Sequence, residues 1–116
     1  QQPGNRTGTA MYMAPELMKR KKTDQRIDIF SYAMTCFELF ANRLPWEASG
    51  QTIELMQQRI NQPAADIREF VSDIDEDIAE TIMRGLESDP DSRWSSAAQM
   101  VARFRDSRQR LEGVRE

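Results

Sequence analysis

Ile27-Asp28-Ile29-Phe30-Ser31-Tyr32-Ala33-Met34-Thr35-Cys36-Phe37-Glu38-Leu39-Phe40 is the stretch whose reading decides how this chain folds. Ten of its fourteen residues are apolar, and neither proline nor glycine interrupts them. The polar four, Asp28, Ser31, Thr35 and Glu38, recur at steps of three, four and three, which lines them along one stripe of a 3.6-residue helix. A helix with so narrow a polar stripe belongs at the centre of a unit, with other elements packed around it. Thr23-Asp24 offers the hydroxyl and carboxylate of a helix start, and Asn42 suits a left-handed C-terminal cap that Pro45 prevents from resuming. The stretch therefore predicts a buried helix from Gln25 to Ala41. Asp28, acidic and near its start, needs a partner.

Working outward, Gln1 to Thr9 is rich in turn-forming residues and reads as a loop. Pro15 followed by Glu16 predicts a short helix to about Lys19, since proline suits a first turn and a carboxylate suits the positive end of the helix dipole. The basic run Lys19-Arg20-Lys21-Lys22 reads most simply as a solvated turn, with an acidic partner as the other reading. A weaker helix is predicted over Thr52–Ile60, ended by Gln62-Pro63. Ile78, Ile82, Met83 and Leu86 recur at helical spacing behind the acidic cluster Asp75-Glu76-Asp77. Ser88 to Ser92 reads as a turn. Ser96 with Gln99 forms a capping box that opens a last helix, whose predicted inner face is Met100, Val101, Phe104 and Leu111. From Arg105 the chain is mostly charged, and its end is expected to fray or to connect onward. No stretch reads as a convincing strand. The fold class is mainly α, with about five helices around the central one.

The chain of 116 residues suits one domain with a modest core, or part of a larger one. With 39% hydrophobic and 30% charged residues and a net charge of −3, it has the balance of a soluble globular protein and no bulk charge for nucleic acid. Cys36 is the one cysteine, so it has no internal disulfide partner, and its place in the apolar run marks it as a small buried hydrophobe. Histidine is absent, which excludes a His-containing metal site or a Ser/His or Cys/His catalytic pair within these residues. No run approaches the roughly 18 apolar residues of a membrane span. With no apolar leader in these residues either, the expected location is cytoplasmic, though a longer parent could carry a membrane helix elsewhere.

Gly8-Thr9-Ala10-Met11-Tyr12-Met13-Ala14-Pro15-Glu16 resembles the end of the activation segment of eukaryotic-type serine/threonine protein kinases, GTxxYMAPE, at every fixed position. Asp28 to Ala33 resembles the family's DxWSxG, with Phe30 in place of the commoner Trp and Ala33 in place of the commoner Gly. Glu38-Leu39-Phe40 and Leu44-Pro45-Trp46 resemble the blocks that follow, and Leu86, Asp89-Pro90 and Arg93 match LxxDPxxR. The four blocks occur in the family's order across nearly the whole chain. They imply the C-terminal part of a kinase catalytic domain, its large lobe, over residues 1–111, with a charged tail over 112–116. The glycine-rich loop, the strand lysine, the His-Arg-Asp loop and the Asp-Phe-Gly are not among these residues.

The resemblance implies a role for each matched position. Glu16 and Arg93 resemble a buried ion pair that ties the activation segment to the turn before the last helix. Asp28 resembles the aspartate that accepts hydrogen bonds from the catalytic-loop backbone, and Thr9 the threonine that supports the catalytic Asp. Gly8, Thr9, Tyr12 and Met13 would line the substrate side, with packing alone as the other reading of the aromatic. Glu38 resembles a carboxylate that receives a basic side chain of the substrate in some members. Thr7 is a candidate regulatory phosphosite, although the family's main site often lies earlier, where this chain has Asn5 and Gly4. Thr35 fits less well, because the family commonly places an apolar residue there. The implied cofactors are ATP and Mg2+, held by the intact kinase and by no residue here. The implied partners are a protein or peptide with a Ser or Thr acceptor and the N-terminal part of the same kinase domain, with no nucleic acid and no membrane. By this reading the piece is inactive alone. The rival is a pseudokinase or kinase-like scaffold, and an unrelated helical adaptor would need four ordered blocks to coincide by chance.

Overall fold

The computed structural model describes residues 14–18, 24–46 and 61–115. These form four α-helices, α1 (Pro15–Met18), α2 (Arg26–Ala41), α3 (Glu76–Gly85) and α4 (Ala97–Arg115), with 3-10 turns at Ile67–Glu69 and Pro90–Ser92. There is no strand among the described residues. The helix expected over Thr52–Ile60 and the basic run Lys19 to Lys22 lie outside them.

The helix α2 is the hub. It packs against α3 and α4, which also pack on each other. Ile29, Phe30, Ala33, Met34, Cys36 and Phe37 are its buried residues, and Ile67, Ala79, Ile82, Leu86, Trp94 and Met100 close the core around them. Its C-terminus is capped as the sequence predicts: Asn42 stands at φ 58° and ψ 30°, and its N–H donates to the Glu38 carbonyl at 2.8 Å. We expect Asn42→Gly to leave urea-denaturation stability unchanged or raised, and Asn42→Val to lower it by about 1–2 kcal/mol, because a branched Cβ meets the following carbonyl in this conformation. Equal stability of the two variants would contradict that account of the cap. At the other end the Asp24 carboxylate supplies a helix-start bond as expected, one residue early. The cap position is Gln25, which makes no side-chain cap bond, while the Asp24 carboxylate takes the Arg26 N–H at 2.9 Å and so closes a turn one residue earlier.

The sequence predicts a helix with no face in water and other elements packed around it; instead one stripe of α2 is exposed. Asp28, Tyr32, Thr35 and Leu39 are exposed, with Phe40 beside them, whereas Ser31 and Glu38 are half-buried. Volume decides this: the face centred on Ile29, Ala33 and Phe37 meets α3 and α4, and the stripe opposite is left outward whatever its polarity. Leu39 is 79% exposed. Tyr32 keeps an edge contact to Phe104 of α4, ring centroids 6.3 Å apart.

Helix α3 begins where its acidic cluster predicts. The Asp75 carboxylate accepts the N–H groups of Asp77 and Ile78 at 3.1 and 3.2 Å and takes Arg110 of α4 at 2.7 Å. At its other end Gly85 lies against α2 so closely that a Cβ there would stand 2.7 Å from the Ala33 Cβ. In α4 the capping box is displaced by one residue. Ser96 Oγ accepts the Gln99 N–H at 3.2 Å, but the Gln99 side-chain Oε1 accepts from the N–H and hydroxyl of Ser95, both at 2.9 Å. Its inner line is Met100, Phe104 and Ser107; Val101, expected inward, is exposed because it sits about 100° around the helix from Met100. Leu111 shares the inner line but is exposed farther along it. The helix continues through Arg115.

Four carboxyls are held below the usual carboxylate range by neighbouring arginines. Asp24 is lowered by the Arg26 guanidinium, Glu76 by that of Arg68 and Asp75 by that of Arg110. Asp66 is lowered first by the Arg68 backbone N–H and then by its guanidinium. All four bind protons more weakly folded than unfolded, so their contribution is present above the unfolded carboxylate pKa of about 4 and is lost as pH falls below it. The urea midpoint is expected to be flat from neutrality to about pH 5 and to fall below about pH 4, with a shallower fall in Asp75→Asn. An acid limb of unchanged steepness in that variant would remove Asp75 from the group.

Candidate functional site

Two segments distant in sequence meet at one guanidinium. Pro15 opens α1 and places Glu16 in its first turn. In the second segment the Asp89 carboxylate takes the Asp91 N–H at 2.9 Å, Pro90 fixes the first turn position, and the 3-10 turn ends at Arg93 in extended backbone. That geometry sends the Arg93 side chain inward, where it is 0% exposed against 7% for Glu16.

The pairing is bidentate, with Nη1 on Oε2 and Nη2 on Oε1, both at 2.7 Å. The other N–H groups are also used: Nε donates to the Glu87 carbonyl at 2.7 Å, Nη1 to the Arg26 carbonyl at 3.0 Å and Nη2 to the Ser88 carbonyl at 3.3 Å. All five donors of the fork are therefore satisfied in a place sealed from water. The Phe30 ring lies 5.0 Å from the guanidinium carbon and itself stacks on Trp46 at 6.1 Å and 24°. The Trp46 indole N–H donates to the Gln62 carbonyl at 3.1 Å.

Arg26 belongs to the same node, and sequence reading did not single it out. Its carbonyl holds Arg93, while its guanidinium grips Asp24 at 2.9 Å and Asp91, in the turn just before Arg93, at 2.7 Å. The two carboxylates push the Arg26 guanidinium above its ordinary value, Asp24 first. The Arg26, Glu87 and Ser88 contributions to Arg93 are backbone carbonyls, which carry no signature in side-chain identity. The one available signal was the alternation of Asp24, Arg26 and Asp91 charges around two matched blocks.

Of the residues expected at a site, the structure brings Glu16 and Arg93 together. Asp28 lies exposed in the first turn of α2, with no side-chain hydrogen bond among the described residues. Glu38 is half-buried near the other end of that helix, about 15 Å along its axis at 1.5 Å per residue. Thr7, Gly8, Thr9, Tyr12 and Met13 lie outside the described residues. Among those described, no three His, Cys, Asp or Glu side chains stand together as a metal ion would need. No described helix is long and apolar enough to cross a membrane.

The sequence profile of the family described as "Protein kinase domain" matches residues 1–104. Among curated proteins, the chain is similar to "Protein lin-2" of Caenorhabditis elegans, with 33% identity over 91 residues covering 78% of this chain and 9% of that protein. It is similar to "Rhodopsin kinase GRK1" of Rattus norvegicus, 35% identical over 89 residues, covering 74% of this chain and 15% of that protein. The similarity to "Serine/threonine-protein kinase PknB" of Mycolicibacterium smegmatis is 25% over 95 residues, covering 82% of this chain and 15% of the kinase. The chain thus spans at most 15% of the length of these relatives.

Proposed function

We propose, from the premise that this chain belongs to the protein kinase domain family, that it is a piece of the large lobe of a serine/threonine kinase and supplies the platform on which a protein substrate lies. The observation that carries this reading is the buried Glu16–Arg93 pair. It fixes the last residue of the Gly8–Glu16 block to the body of the helical unit, where it would anchor a peptide-binding surface formed with the residues before it. Gly8, Thr9, Tyr12 and Met13 would shape that surface, with Thr9 supporting the catalytic Asp.

The reaction of the intact kinase would be in-line transfer of the ATP γ-phosphoryl group to a Ser or Thr hydroxyl, with Mg2+ neutralising the phosphate charge. The residues of this chain orient the acceptor and hold the lobe together. Asp28, a carboxylate in the first turn of α2, would accept backbone N–H groups of the catalytic loop. Glu38 would receive a basic side chain of the substrate. ATP and Mg2+ would be held by residues other than these, and the piece alone would transfer nothing. A phosphate on Thr7 would order the loop through an arginine beside the catalytic Asp; mass spectrometry that finds Thr7 unmodified in fully active enzyme excludes that role.

The test is expression of the chain within its full reading frame, with phosphoryl transfer to Ser/Thr peptides as the readout. Transfer is expected, and Glu38→Gln should raise KM for peptides with arginine near the acceptor by about tenfold while leaving kcat in place. A full-length product that binds proteins yet transfers no phosphoryl group is a scaffold, and the proposal then fails.

A further inference from the structure

Beside the seat of Arg93 the surface is hollowed into a pocket of about 220 Å³, between the segment that follows Gln62 and the C-terminal end of α3. Pro63, Ala64, Met83 and Leu86 give it apolar walls, and Asp66, Glu87 and Ser88 complete its lining. Pockets that enclose drug-sized ligands run to roughly 300–1,000 Å³. This one suits a single long side chain.

Its walls are held in place by bonds that a ligand would not have to make or break. The Glu87 and Ser88 carbonyls accept from Nε and Nη2 of the buried Arg93 at 2.7 and 3.3 Å, and the Leu86 N–H donates to the Met83 carbonyl at 3.1 Å. In the other segment the Ala65 N–H donates to the Pro45 carbonyl at 3.3 Å, the Asp66 carboxylate accepts the Arg68 N–H at 2.9 Å, and Ile67 is fully buried. A pocket formed beforehand spares its ligand the cost of ordering it.

The ionisable residues of the lining, Asp66 and Glu87, are both acidic. Asp66 is paired with Arg68, which also holds Glu76, so those three groups keep one net negative charge. Glu87 is exposed, and its carboxylate has no hydrogen-bond or ion-pair partner among the described residues. Apolar walls under a negative rim select an amphipathic cation, whose stem lies on carbon while its charge stays at the mouth.

We propose that this pocket receives an arginine side chain of a protein partner, with its methylene stem against Met83 and Leu86 and its guanidinium on the Glu87 carboxylate. The planar fork can give a carboxylate two parallel N–H bonds, which a lysine ammonium cannot. Phosphoryl transfer has no part in this recognition, so the kinase reading can fail while the pocket binds, and the reverse.

The test uses the protein expressed in its full reading frame with isotope-labelled methionine methyl groups. It is titrated with N-acetyl-arginine amide, N-acetyl-norleucine amide and N-acetyl-glutamate amide while NMR follows the Met83 methyl, assigned with Met83→Leu. The arginine amide is expected to shift that signal saturably, the norleucine amide to bind about tenfold more weakly, and the glutamate amide to leave it in place. Glu87→Gln keeps the backbone carbonyl that Arg93 uses, so it should weaken the arginine amide about tenfold with the thermal midpoint unchanged. A Met83 methyl that does not respond to the arginine amide, norleucine binding as tight as arginine, or equal arginine binding in Glu87→Gln would each overturn the proposal.

Discussion

Glu16→Ala is expected to destabilise the folded unit by roughly 3–5 kcal/mol, because it leaves the Arg93 guanidinium buried without its counter-charge. Against a domain stability of about 5–15 kcal/mol that is a large fraction, and thermal unfolding should begin far earlier. Arg93→Met should cost at least as much. It strands the Glu16 carboxylate and also removes the donors to the carbonyls of Arg26, Glu87 and Ser88. The double change Glu16→Leu with Arg93→Met should cost less than the sum of the single ones, since no charge then remains buried. Urea titrations of the four proteins give the comparison. Single variants that each lose less than about 1 kcal/mol would place the pair with ordinary surface bridges and sink the prediction.

The second large effect belongs to Gly85. A methyl group there would stand 2.7 Å from the Ala33 Cβ, closer than two carbons tolerate, and 3.3 Å from the Met100 Cε. The methionine end can move, but Ala33 is fixed to the backbone of α2, so the helices must part. Gly85→Ala is expected to cost about 1–3 kcal/mol despite glycine's poor helix propensity, and Gly85→Val more. Ala33→Gly should rescue part of it, at about 1 kcal/mol of helix propensity of its own. A double variant no more stable than Gly85→Ala would show that the strain lies elsewhere. The resemblance has glycine commonly at position 33; here the tolerance for alanine comes from the missing side chain opposite it.

The same two contacts show what could be read from residues alone. The position of α2, its Asn42 cap and the meeting of Glu16 with Arg93 were legible because each rests on local pattern or on a matched block. The outward face of α2 was not. Apolarity nearly all round pointed to a helix covered on every side, but α3 and α4 cover one face and leave Tyr32, Leu39 and Phe40 exposed. Val101 was misplaced for the same reason, since an apolar residue next to an inward one satisfies the composition of a face without lying on it. Arg26 was missed because half of its part in the node is played by a carbonyl.

The Glu16–Arg93 contact closes a separation of 77 residues, whereas α3 and α4 can associate across a short turn. Loop-closure entropy favours the short-range pairing, so Glu16 is expected to dock onto a frame that already exists. A contact made after the folding barrier leaves the refolding rate nearly unchanged when it is removed and appears almost wholly as faster unfolding. Glu16, with the first turn of α1, is then the last part to be secured and the first to be let go, and its release needs only local opening while the helical body stays intact. In kinetic terms the buried pair is a latch on a preformed frame, and it sets how long α1 stays fastened rather than whether the helices assemble.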